Sequence, residues 1–197
     1  MKIYTVFYLF FLGFAVFYQL FAERRVDKAS SQNRGKTYFE WTHMLITLTY
    51  YTLNMLAVAE YFIIKRKINI WVSFAGLALF LLGLWGRSYA VKTLQKYWSG
   101  DIEIRQGHSI IRKGPYAYVR HPAYLSMIIK STGLCLVPNS YLSLVFLFLC
   151  YIPVLLMRMS YEEKILSKEI GEEYLKYKKL VPAFIPFFRK AGKFSGA

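Results

Sequence analysis

Apolar runs of about twenty residues, separated by basic stretches, constrain this chain of 197 residues more than any other feature. A run of that length is what an α-helix needs to cross the hydrocarbon core of a bilayer, about 30 Å thick. Hydrophobic residues make up 56% of the chain and come in blocks, which predicts an integral membrane protein rather than a soluble domain. The blocks cover residues 3–22, 44–64, 68–91, 123–137 and 141–157. The first exceeds the apolar part of a signal peptide, is dense in Phe and Tyr, and has no small-x-small cleavage site before Glu23, so it reads as a transmembrane helix.

The expected fold is therefore all-α, a bundle of five transmembrane helices. Pro138-Asn139-Ser140 breaks the last apolar stretch into two halves that read as a helical hairpin. Each half is slightly short for a full span. Lys65-Arg66-Lys67 is a tight connection between the second and third helices. Residues 23–40 read as a solvated loop, and residues 98–104, which show no clear period, as part of an irregular loop from Lys92 to Arg120. Gly76, Gly83 and Gly86 on the third helix would let a neighbouring helix approach closely.

A net charge of +15 would suggest nucleic acid in a soluble protein, but here the basic residues are sorted by loop. Of 26 Lys and Arg, 21 lie in residues 23–42, 87–122 and 158–197, while the opposite face holds Lys2, Lys65, Arg66 and Lys67. The positive-inside rule puts the rich set in the cytoplasm, with the C-terminus there and the N-terminus outside. Membrane topology explains the charge without a nucleic-acid partner. Cys135 and Cys150 lie in apolar runs without metal-ligand spacing, so they read as small buried hydrophobes, and no metal is expected. Three charged residues fall inside apolar blocks: Arg87 lies near the end of the third, Glu60 either snorkels or faces substrate, and Lys130 either snorkels or faces the bundle interior.

Chemistry concentrates in two places. Residues 107–124, GHSIIRKGPYAYVRHPAY, pack two His, a Gly-Pro pair, three Tyr and three basic residues against the start of a hydrophobic helix. Imidazoles and phenols at the water–lipid boundary suit a polar cofactor meeting an apolar substrate; the plain alternative is an interfacial aromatic belt with basic residues serving lipid headgroups. Residues 158–179, RMSYEEKILSKEIGEEYLKYKK, place Arg158 and Glu162 four apart, on one helix face. As a surface pair they would contribute well under about 1 kcal/mol. Directly after a transmembrane helix, however, the guanidinium would be partly desolvated and able to grip a carboxylate with two hydrogen bonds. Glu163 is the reserve acid. Tyr174, Tyr177 and residues 182–188 form an amphipathic tail over the membrane or the site.

The order WSGDIEIRQGHSIIRKGPYAYVRHPAY, a hairpin, R-x-x-x-E-E and GEEYLKYKKLVPAFIPF resembles the isoprenylcysteine carboxyl methyltransferase family and its prokaryotic relatives, over residues 98–187. The resemblance implies an integral membrane enzyme of a prokaryotic cell membrane or of the endoplasmic reticulum. It implies S-adenosylmethionine as methyl donor and a lipophilic or prenylated carboxylate as acceptor. On this pattern the cofactor contacts fall on His108, Ser109, Ile110, Ile111, Tyr116, His121, Pro122, Ala123 and Tyr124, with Glu103 or Asp101 as a further contact. The substrate-side residues are Arg158 and Glu162. The chain would then divide into three N-terminal helices, residues 1–91, and a catalytic region, residues 92–197, made of cofactor loop, hairpin and C-terminal helix. A carboxylate is already ionised at neutral pH, so its methylation needs alignment and exclusion of water rather than a general base. Two other enzyme readings stay open: methylation of another lipophilic acid or hydroxyl, and a nicotinamide-dependent membrane reductase. No G-x-G-x-x-G follows a strand pattern, so any nucleotide cofactor would be held by the helical membrane region.

Overall fold

The computed structural model describes residues 2–31, 36–64, 67–94, 99, 102–104 and 110–185. The chain is mostly helical: α1 (Lys2–Ser31), α2 (Trp41–Ile64), α3 (Ile70–Leu94), α4 (Pro122–Leu136), α5 (Tyr141–Phe146), α6 (Ile152–Glu169) and α7 (Glu172–Leu180). One wide π turn, Leu147–Tyr151, joins α5 to α6, so Tyr141–Glu169 is a single continuous rod. Ile70–Leu94 and Tyr141–Glu169 are long and apolar enough to cross a membrane, and Ile3–Gln19 is a shorter apolar helix. Their outer surfaces carry bare aromatic and aliphatic side chains: Trp71 is 79% exposed and Leu149 71%. Water does not tolerate such a surface, whereas lipid does.

α2 is close to α3 in length, and its polar side chains turn inward onto its own backbone. Thr49 donates to the Leu45 carbonyl, Thr52 to Leu48 and Asn54 to Tyr50, at 2.7–2.9 Å. Each hydroxyl or amide is thereby satisfied without water. Ile46, Tyr50, Leu53 and Ala57, at helical spacing, supply the core face. They meet Tyr8 and Phe11 of α1, Phe80 and Leu84 of α3, Leu134 of α4, and Leu147, Tyr151 and Leu155 of the rod.

α3 and α4 run antiparallel in close contact because small residues line the seam. A Cβ on Gly83 would lie 2.5 Å from the Lys130 backbone nitrogen, so nothing larger than hydrogen fits. This approach pushes Lys130 inward: it is buried, its Nζ donates to Gln19 Oε1 (2.9 Å) and lies 4.4 Å from the centre of the Tyr50 ring. Of the two readings of Lys130, the interior one holds. Both cysteines are free.

The Pro-Asn-Ser turn forms as expected. Asn139 takes a left-handed φ of 60°, which an Asn tolerates, and backbone bonds from Asn139 to Leu136 and from Ser140 to Cys135 close the end of α4. Glu60 neither snorkels nor faces a substrate: its carboxyl accepts from the backbone amides of Leu142 (3.1 Å) and Ser143 (2.9 Å) and from the Ser143 hydroxyl (3.0 Å). It caps, from another helix, the first turn of α5, whose amides have no partner within their own helix. Glu60→Ala is expected to lower stability by about 2 kcal/mol through those orphaned donors, with less loss in Glu60→Gln; melting curves in detergent measure this, and specific activity per folded molecule should not change.

Two expectations are corrected. The segment 23–40 is not one loop: the α1 backbone stays helical to Ser31, and Lys36–Tyr38 forms β1. Within the stretch read as irregular, Ile102–Ile104 forms β2, which pairs antiparallel with β1, Thr37 opposite Glu103. This ribbon ties the entry of α2 to the segment that leads into residues 107–124.

Candidate functional site

Around residues 110–124 the backbone is shaped by Gly and Pro. Gly114 takes a left-handed φ of 55° and Pro115 opens the short 3₁₀ turn Gly114–Ala117. Pro122 opens α4, where its missing N–H costs nothing. Between them Arg120 and His121 donate their backbone amides to the carbonyls of Pro182 (2.9 Å) and Ala183 (3.2 Å). The tail beyond α7 is therefore fastened to the start of α4. α7 itself packs Tyr174, Tyr177 and Val181 against Ile110, Leu166 and Ile170, and the Tyr177 hydroxyl donates to the Tyr116 carbonyl (2.7 Å). Tyr116 is buried with Ala90, Leu94 and Ala123. Burial pushes the phenols of Tyr116, Tyr174 and Tyr177 well above their ordinary range, helped at Tyr116 by the nearby Glu162 carboxyl. Burial therefore favours their neutral form.

A buried acid gathers the segment. Glu163 Oε1 accepts from Arg120 Nε (3.0 Å) and Nη2 (2.8 Å) and from His121 Nε2 (3.0 Å), while Oε2 meets Lys178 Nζ at 2.7 Å. Arg120 goes on to donate through Nη1 to the carbonyls of Lys178 (3.0 Å) and Val181, closing the end of α7. Glu163 thus joins the entry of α4, α6 and α7 at one point.

The neighbouring acid faces elsewhere. Successive helical residues point about 100° apart, and Glu162 turns toward Tyr124, whose hydroxyl donates to Glu162 Oε2 (2.8 Å) and accepts from Arg158 Nε (3.2 Å). Arg158 is 5% exposed, and its Nη1 donates to the hydroxyl of fully buried Thr42 (2.7 Å). Arg158 and Glu162, expected as a pair one turn apart, are bridged by Tyr124, which the resemblance had placed among the cofactor contacts. The His121 ring lies 5.6 Å from that of Tyr124.

The expected residues thus fall into separate groups. Tyr124, Arg158 and Glu162 form one, at the junction of α4 and α6, with the His121 ring beside Tyr124; Tyr116 and Ala123 pack together against α3, while Ile110, followed by half-buried Ile111, packs separately against α7. His108, Ser109 and Asp101 lie outside the described residues. Glu103 is buried on β2, which packs on α6. Thr42 and the stack of Phe39 on Tyr161 (ring centres 4.7 Å apart) carried no sequence signal, because a Thr at the start of a helix reads as an ordinary interface residue. Among the described residues no group of three His, Cys, Asp or Glu could hold a metal ion.

Comparison with known proteins gives a consistent result. The sequence model of the isoprenylcysteine carboxyl methyltransferase (ICMT) family matches residues 76–168. Protein-S-isoprenylcysteine O-methyltransferase A of Arabidopsis thaliana is 30% identical over 151 residues, 73% of this chain and 77% of that protein. The B form of the same plant is 28% identical over the same shares. An uncharacterized Bacillus subtilis protein, YpbQ, is 25% identical over 75% of this chain and 88% of its own.

Proposed function

The chain belongs to the isoprenylcysteine carboxyl methyltransferase family and is a carboxyl methyltransferase, and from that we propose that it moves a methyl group from S-adenosylmethionine to the carboxylate of a lipophilic acceptor, a C-terminal prenylcysteine first. Family membership decides between the enzyme classes left open by the sequence, in favour of methyl transfer over reduction. The observation that carries the acceptor assignment is the buried Arg158 guanidinium, oriented by Tyr124 and Thr42 at the junction of α4 and α6. A planar fork in a low-dielectric site recognises a carboxylate with two parallel hydrogen bonds. Glu162, through Tyr124, holds the opposite side of that arrangement.

The donor set fits S-adenosylmethionine. By chemistry, a Tyr ring face such as that of Tyr124 suits a sulfonium cation, as would the buried carboxyl of Glu103 on β2, and the apolar Ile110 and Ile111 suit an adenine face. When bound, S-adenosylmethionine supplies an electrophilic methyl group, so the acceptor oxygen needs no base and the protein's task is alignment without water. His108 and Ser109 are proposed as further cofactor contacts on the family resemblance alone. In this reading α1, α2 and α3 cross the membrane, α4 and the α5–α6 rod return as a hairpin, and the site opens on the cytoplasmic face beneath α7. Residues 92–197 then supply the catalytic parts, and the first three helices their support.

The test uses S-adenosylmethionine labelled in the methyl group, the purified protein in lipid nanodiscs, and N-acetyl-S-farnesylcysteine. Label should enter the lipid-soluble fraction and leave it as methanol under mild alkali, as a carboxyl ester does. Alkali-stable label would point to a hydroxyl acceptor. No transfer to this compound or to membrane lipids would overturn the proposal.

A further inference from the structure

We propose that Thr42 is a positioning residue for Arg158, so that the arginine of the C-terminal region is aimed by the first turn of a helix in the N-terminal region. This rests on the reading of Arg158 as the acceptor-binding group. Thr42 lies outside residues 76–168, the stretch matched by the family model.

The geometry fixes the direction of every proton involved. Thr42 is fully buried, and its hydroxyl donates to the Phe39 carbonyl at 2.7 Å. A hydroxyl has one proton; with that proton committed, its oxygen faces Arg158 as an acceptor, the role a guanidinium N–H requires. Arg158 Nη1 uses it at 2.7 Å. Tyr124 does the same for Nε: its proton goes to Glu162 and its oxygen accepts from Arg158. Two edges of one planar group are thereby held by two oxygens on two helices, which sets the plane of the fork.

The Phe39 carbonyl is itself held in place. Phe39 has a left-handed φ of 52°, uncommon for a bulky residue, and its carbonyl also accepts from the Thr42 backbone amide at 2.9 Å. Its ring stacks on Tyr161, 4.7 Å away, and Trp41 meets Tyr161 edge-on at 6.0 Å. Tyr161 stands one turn beyond Arg158 on α6, so the bent entry of α2 is clamped to the helix that carries the arginine.

Thr42→Val removes the hydroxyl and keeps the shape. It should lower kcat/KM for the prenylcysteine acceptor about 30-fold while KM for S-adenosylmethionine stays within about 2-fold, and Thr42→Ser should recover most of the loss. A structural role alone would not alter acceptor discrimination, so the second readout is the affinity ratio of farnesylcysteine carboxylate to its carboxamide, which should fall about 10-fold in Thr42→Val. Thr42→Ala, which adds no atoms to the site, carries the test if the valine variant does not fold. An unchanged ratio in a folded variant, with Arg158→Ala abolishing the carboxylate preference, overturns the positioning role alone. Should Arg158→Ala leave that preference intact, the acceptor assignment fails, and the proposal with it.

Discussion

Replacing Arg158 by Ala is expected to lower kcat/KM for a carboxylate acceptor by about 10³-fold while leaving S-adenosylmethionine affinity within a few fold. The loss is large because the guanidinium is buried and fixed at two edges, by the Tyr124 and Thr42 hydroxyls, so its alignment needs no reorganisation when substrate arrives. Arg158→Lys keeps the charge but not the plane or the fork, and should recover little of the rate. Single-turnover methyl transfer together with calorimetric cofactor binding separates the two effects. Equal loss of turnover and cofactor affinity would remove the division between an acceptor side on α6 and a cofactor side at residues 110–124.

The second large effect concerns stability. Glu163→Ala should destabilise the protein by about 3 kcal/mol, since it strips the partner from Arg120 and His121, both largely buried. Lys178 adds little, because its side chain is 43% exposed and its ion pair is screened. The consequence should be local before it is global: with the Arg120 side chain no longer fixed by the carboxylate, its hold on the carbonyls of Lys178 and Val181 should loosen, and limited trypsin digestion should cut first at Lys178 or Lys179. Glu162→Gln, one residue away, should slow transfer and leave melting and proteolysis unchanged. If the two variants behaved alike, the separate facing of the two acids would be wrong.

That pair shows where sequence reading stops. The arginine and both acids were visible as R-x-x-x-E-E, and the four-residue spacing put Glu162 on the Arg158 face, but what Glu163 meets, about 100° away, depends on neighbours that only the folded chain supplies. The helices were legible because blocks of apolar residues need no partner to be recognised, and the Pro-Asn-Ser turn because its residues favour that backbone locally. The Gly seam on α3 was legible for a similar reason, since small residues at a helix face mark a close approach. The β1–β2 ribbon was not, because three-residue strands carry no period. The helical course of α1 as far as Ser31 was hidden by polar composition, which suits a loop and a solvated helix equally. Glu60 and Lys130 looked alike as charges in apolar runs; only long-range packing assigned one to a helix cap and the other to the interior of the bundle.

α2 grips the α5–α6 rod at two distant points, with Glu60 on the amides of Leu142 and Ser143 and Thr42 on Arg158. The span of chain between those grips therefore works as a gauge whose residue count cannot drift. Gaining or losing one residue in an α-helix moves every later residue by about 1.5 Å along the axis and turns it by about 100°, enough to swing the guanidinium out of reach of Tyr124. The wide turn at Leu147–Tyr151 already accommodates an additional residue, and it sets the phase in which the arginine emerges. Homologues that share this arrangement should vary freely in the side chains they turn to lipid along this stretch, yet conserve its length.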